Sequence, residues 1–182
     1  MTQHRRIARR RIARRQTAGF TLTEVCLALI VFGMMTVLFG AVFPMTVRGA
    51  QYGGNYTQAA MIAQHKMEEL RSAGFSSLDQ THLTNLNAID SPQASGYPAP
   101  VSGGTSYSFT SAEHLVSDGV TKGYFAPGSM GTVTVADYAA LHPSSGVPSG
   151  TLALVTVSVT WTGGGVSNGS YSTSALLANA AP

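Results

Sequence analysis

From Val25 to Val47 the chain runs 23 residues without a charge. As a helix rising about 1.5 Å per residue, that run crosses a hydrocarbon core of about 30 Å. No soluble fold of this size accommodates such a segment with water on all sides, so it marks a membrane span or a lipid-like environment. It is not a conventional secretory signal, whose apolar region is about 7 to 15 residues and ends in a small-x-small site. The residues that follow, "PMTVRGAQYGG", offer only a poor site at Arg48-Gly49-Ala50. A twin-arginine signal is also a poor fit, because "RRQTAGF" lacks that motif's hydrophobic pair.

Charge gives the run a direction. Seven of the eleven basic residues are arginines before residue 16 (Arg5 to Arg15), with no acid among them. Placed against an apolar span, they read as the cytoplasmic flank that fixes orientation by the positive-inside rule. From Phe20 onward four basic residues face eight acids, a formal charge of −4. Without the arginines the chain is mildly acidic, and a broad basic groove for nucleic acid is excluded. The single cysteine, Cys26, rules out an intramolecular disulfide and reads as a small apolar side chain.

One residue does not fit the grease. Glu24 stands five residues into a stretch, Phe20 to Val47, that holds no other charge. An ionisable group at such depth is costly and calls for a use.

Helical periodicity continues past Arg48. Tyr52, Tyr56, Ala59, Ala63, Met67 and Leu70 recur at steps of three and four, one apolar stripe, with Asn55, Gln58, Lys66 and Glu69 on the other side. Lys66 with Glu69 and Glu68 with Arg71 have the spacing of weak ion pairs on an exposed face. Ser72-Ala73-Gly74 reads as the stop, with Gly74 in the left-handed position. The sequence therefore predicts one helix from about Thr21 to about Ser72, about 75 to 80 Å long. Pro44 removes a backbone hydrogen bond and should kink it, and Gly40, Gly49, Gly53 and Gly54 weaken it on either side. A kink or a locally melted stretch is expected between Gly40 and Gly54.

Residues 75–182 are rich in Gly, Ser and Thr. The segment from Ser77 to Ser106 reads mainly as connecting loop. "TSYSFTSA", "GTVTVADY" and "LVTVSVTWT" carry strand alternation, the last with Val155, Val157, Val159 and Trp161 on one face as core. "GGGVSNGS" before "YSTSALLA" predicts an antiparallel hairpin at the C-terminus. The fold class is α+β: a long N-terminal helix, hydrophobic in its first half and amphipathic in its second, packed on a small antiparallel sheet of three to five strands.

No catalytic constellation stands out, and neither an enzyme nor a bound cofactor or metal is expected. The five histidines are scattered, and His65 with Glu68 and Glu69 reads as a solvated helix face. There is no phosphate-binding glycine loop and no nucleophile elbow. Asp118 and Asp137 are isolated acids, too few for a calcium site without further ligands.

The start of the chain resembles type IV pilin-like proteins, the class of pilins, minor pilins and type II secretion pseudopilins. The resemblance rests on a basic leader ending in glycine, the run Gly19, Phe20, Thr21, Leu22, Thr23 and Glu24, and the apolar helix that follows. It covers residues 1 to about 50 strongly and continues more weakly to about 75. It implies a division into a leader at 1–19, a membrane or filament-core half-helix at 20–47, an amphipathic half-helix at 48–74 and an exported head at 75–182. It also implies cleavage between Gly19 and Phe20 by prepilin peptidase, methylation of the new amine of Phe20, and residence as a single-pass inner-membrane protein with its N-terminus cytoplasmic. An inner-membrane assembly platform would then draw the protein from membrane lipid into a filament of pilin or pseudopilin subunits. There Glu24 would pair with the N-terminal amine of a neighbouring subunit. Pro44 lies later than the proline usual in major pilins, and the missing cysteine pair is a second departure. Both favour a minor pilin or pseudopilin. The alternative is a membrane-anchored extracytoplasmic binding module that does not assemble; an anchor needs neither the hexapeptide nor Glu24.

Overall fold

The computed structural model describes residues 19–162 and 168–179. The arginine leader and most of the expected "GGGVSNGS" turn lie outside them. One helix, α1, covers Leu22–Ala73, 52 residues with Pro44 inside. The chain divides into two compact units, Met1–Pro44 and Met45–Pro182.

In the first unit, every described residue from Gly19 to Pro44 is exposed. Thr21 opens the helix: its carbonyl accepts from the Glu24 and Val25 amides at 3.0 and 3.1 Å, and its Oγ1 lies 3.3 Å from the Glu24 amide. This is the geometry of a threonine N-cap, which satisfies amides that a helix start otherwise leaves bare. The helix then passes through Pro44 without interruption, so the melted stretch expected between Gly40 and Gly54 is not observed. Pro44 still has no amide to give to the Gly40 carbonyl one turn back.

The second unit is an antiparallel meander with the C-terminal part of α1 against it. Its strands are β1 (Ala99–Val101), β2 (Gly104–Ser108), β3 (Met130–Asp137), β4 (Leu152–Trp161) and β5 (Gly169–Ala178). Spatial order equals chain order. The alternation in β4 works as expected: Val155, Val157, Val159 and Trp161 are buried, and Val157 faces Val133 across the β3 pairing. β4 and β5 pair antiparallel over ten residues each, from Leu152 opposite Ala178 to Trp161 opposite Gly169. Gly169 is glycine for a steric reason, since a Cβ there would lie 2.3 Å from Trp161 Cζ2.

Ala59, Ala63, Met67 and Leu70 of α1 join the valines of β3 and β4 in one core with Phe109, Leu115 and Phe125. Trp161 closes one end of it, stacked on Phe125 at 6.0 Å and met by Tyr52 and Tyr56 at 6.0 and 6.4 Å. Gly74 ends the helix with φ +79°, as expected of a stop, but its ψ of 173° is extended rather than left-handed helical.

The segment read as connecting loop is more ordered than its punctuation suggests. It holds a short helix, α2 (Gln80–Asn85), capped by Asp79 through the Thr81 and His82 amides, and the strand β1. Its organising residue is Asp90, 2% exposed. The Asp90 carboxylate accepts from the Ser108 hydroxyl (2.7 Å) and from the amides of Thr110 (3.0 Å), Ser111 (2.7 Å) and Ala112 (2.8 Å). Gln93 adds a second tie, accepting from the Ser108 amide at 2.7 Å. A buried carboxylate surrounded by four donors is satisfied without a cation. These bonds hold residues 90–94 to the end of β2.

Candidate functional site

Among the described residues, two places carry chemistry. The first is the start of α1, where the structure sets two of the four residues singled out from the sequence, Phe20 and Glu24, side by side. Gly19 and Phe20 precede the helix, Phe20 being 81% exposed, and Glu24 lies in the first turn. Phe20 and Glu24 line one shallow concavity with Val25, Ala28, Leu29 and Phe32. Glu24 is the only ionisable group in that lining. Pro44 lies twenty residues on, about 30 Å along the helix axis, and takes no part in the concavity.

Leu22, Leu27, Phe32, Val37, Phe39, Phe43 and other large apolar side chains stand exposed on every side of this unit. Exposed apolar surface on this scale marks a place of contact with a membrane or with other protein. The helix is long and apolar enough to cross a membrane and lies near the N-terminus. Cys26 is exposed here as well, not buried within the chain as a core cysteine would be.

The second place is on the head, and the sequence misjudged it. Lys66 was expected on a solvated face, yet it is only 1% exposed. Its ammonium group reaches Glu69 Oε2 at 2.8 Å and Glu113 Oε1 at 2.5 Å, and lies 5.7 Å from the centroid of the Phe109 ring. The cause is the turn at residues 110–113, which folds Glu113 over the helix. The signal was present in the spacing: Ala59, Ala63, Lys66 and Leu70 follow steps of four, three and four, the seam of a packed helix. Only the charge argued for the outside. A lysine's apolar stem lies readily on a core if its head finds acids. His65 is exposed, as expected, but it is not merely one of a row on the helix: with Glu69 and Glu113 it forms a group whose donor atoms lie within 4.8 Å of one another. The Glu68–Arg71 pair, at 3.1 Å, is the surface pair the spacing anticipated.

The remaining acids serve their own loops. The amides of Thr121 and Val120 hold the Asp118 carboxyl below its ordinary range. The Ser149 hydroxyl does the same for Asp137, against some desolvation and with help from the Ala139 and Gly150 amides. At Asp79 desolvation pushes upward, but hydrogen bonds from the His82 side chain and amide, with its charge, together prevail and lower the pKa. Asp118 and Asp137 are thus engaged in separate local turns, and neither belongs to the metal-capable group formed by His65, Glu69 and Glu113.

Compared with protein families, with curated proteins and with solved structures, the chain shows no match. What the structure defines by itself is an α+β protein whose long N-terminal helix offers one candidate membrane span ahead of a five-stranded head.

Proposed function

We propose that the chain is a structural subunit of a type IV pilus-like or type II secretion pseudopilus filament, in the role of a minor, priming or tip pilin. The observation that carries this reading is the lone carboxylate of Glu24 beside Phe20, at the start of a helix whose apolar side chains stand exposed from Leu22 to Phe43. A plain anchor would gain nothing from an acid there.

In this reading prepilin peptidase cuts between Gly19 and Phe20 and methylates the freed amine. The helix holds the protein in the inner membrane, its head extracytoplasmic, until the assembly platform draws it into the filament. The apolar surface then passes from lipid to neighbouring helices. Glu24 of one subunit meets the cationic N-terminus of another, because a charge inside hydrocarbon is tolerable only when paired. The pair also fixes axial register, since any other stagger leaves two buried charges alone. Pro44, with Gly40 before it, supplies compliance as subunits bend into the filament. No catalytic step is assigned to the protein.

Mass spectrometry of the protein taken from its native membrane tests the first step. A mature N-terminus at methylated Phe20 is expected; a chain beginning near Met1 means a membrane-anchored module that does not polymerise. A bulky residue in place of Gly19 should accumulate uncut precursor. Glu24→Ala should be cut and inserted normally but poorly incorporated into filaments, and normal incorporation would refute the pairing.

A further inference from the structure

His65, Glu69 and Glu113 each present one donor atom, those atoms lying within 4.8 Å of one another, and the two glutamates are ion-paired with the buried Lys66. We propose that these three side chains form a site for a transition-metal dication of the Zn2+ class, which ties α1 to the turn at residues 110–113. The proposal concerns the head alone and is independent of whether the chain polymerises.

The arrangement has the parts such a site needs. His65 and Glu69 are four residues apart on one helix and so project from the same face. Glu113 comes from 44 residues further along the chain than Glu69, which makes the group a product of the fold rather than of a local run of acids. Imidazole with two carboxylates is a donor set suited to zinc and its neighbours; calcium and magnesium prefer oxygen alone.

Lys66 does not occupy the site so much as brace it. It takes Oε2 of Glu69 and Oε1 of Glu113, and each carboxylate keeps a second oxygen. Ligating carboxylates commonly have such an outer partner, which fixes their orientation. The brace is itself rigid, being buried and seated over the Phe109 ring.

Charge points the same way. Two carboxylates against one ammonium leave a net −1 when His65 is neutral, in a place where the glutamate side chains are only 28% and 23% exposed. A dication satisfies that excess and uses the imidazole as a ligand. Tetrahedral bonds of about 2.0 Å place donor atoms about 3.3 Å apart, so the group has to close by an ångström or so. The exposed His65 ring and the two partly exposed glutamates can do that by rotating side chains, without moving the backbone. Water completes the coordination. Because the ligands come from two separate elements, binding should raise the melting temperature of the head.

The test uses the full chain, without a polyhistidine tag, stripped of metal and held in detergent micelles near neutral pH. Calorimetric titration with ZnCl2 is expected to show one saturable site per chain, accompanied by a rise in Tm. His65→Ala, at an exposed position whose loss should leave the fold intact, is expected to weaken binding about tenfold or more, and Glu113→Gln should do likewise. Circular dichroism checks that both variants fold. No saturation up to about 1 mM Zn2+, an unchanged affinity in folded His65→Ala, or tighter binding of Ca2+ than of Zn2+ would each overturn the proposal.

Discussion

The two units of this protein use carboxylates in opposite ways. In the head, Asp90 is buried and receives four hydrogen bonds from its own chain. At the start of α1, Glu24 is exposed among apolar side chains that its chain does not cover. The same contrast runs through the apolar residues. Val155, Val157 and Val159 are buried by strands and helix of the head, whereas Leu27, Phe32 and Phe39 are buried by nothing within the first unit. The head's sequence answers to its own core; the helix start answers to surroundings that lie outside the chain. Mutations in the two units should therefore separate folding of the head from whatever covers the helix start, which in the reading proposed above is assembly.

The largest effect on folding is expected at Asp90. Asp90→Ala strips four donors of their acceptor in a buried place, and with each orphaned group costing about 1–3 kcal/mol, partly relieved by water, the loss should be about 3–5 kcal/mol. Chemical denaturation of the head transition measures it. Insertion into the membrane should be unchanged, because the span does not involve Asp90. A loss under 1 kcal/mol would mean the staple between residues 90–94 and β2 is dispensable, and the contrast with Glu24 would lose its stronger half.

A smaller effect is expected at Lys66. Lys66→Ala removes a buried stem and leaves Glu69 and Glu113 facing each other. Since both glutamates retain contact with water, the penalty should be about 2 kcal/mol rather than that of a fully buried pair. Lys66→Met, which restores the packing but not the charge, should recover part of it. Equal losses in both variants would assign the whole effect to the ion pairs; full recovery in Lys66→Met would assign it to packing.

How much of this was legible beforehand follows the same division. The stripe Tyr52, Tyr56, Ala59, Ala63, Met67, Leu70 and the alternation Val155, Val157, Val159, Trp161 are patterns with fixed periods, and the structure buries all of them except the two tyrosines, which stay exposed while their rings meet Trp161; the apolar run is legible by its length alone. That Gly19, Phe20 and Glu24 share one helix start follows from their lying within six residues of one another. What escaped were the side-chain ties made when distant loops close on the helix and on β2. Asp90 looks like a loop acid until Ser108 and the turn at 110–112 arrive to donate to it. Lys66 looks like a surface lysine until Glu113 folds over it. The middle of α1 shows the converse: Pro44 and the glycines from Gly40 to Gly54 argued for a kink or a melted stretch, yet helical backbone persists through them, because one missing hydrogen bond does not outweigh the turns on both sides.

Those glycines give a gentler test. A Cβ added at Gly33 or Gly40 would meet nothing within 4 Å, so packing within the chain does not require either to be glycine. Gly40→Ala should stabilise the helix by about 0.5–1 kcal/mol through backbone entropy alone, read as slower amide exchange near Pro44 in micelles. Faster exchange would mean that the Gly40 carbonyl, facing the proline ring, needs freedom that only glycine provides.

The smallest effect concerns acid. The Asp118 and Asp137 carboxyls have pKa values lowered in the folded head, chiefly by the Thr121 amide and the Ser149 hydroxyl respectively. A carboxyl whose pKa is lower folded than unfolded contributes stability that is fully present above its unfolded value of about 3.9 and is lost as pH falls through the folded value. Both groups sit at the surface, where solvent screens them, so the acid limb of head stability should steepen only modestly below about pH 4. Replacing both, Asp118→Asn with Asp137→Asn, should flatten that limb and leave the span's insertion untouched. Because no carboxylate but Glu24 lies in the first unit, an acid limb that persists unchanged in the double variant would place the responsible groups elsewhere in the head, with Asp79 the next to replace.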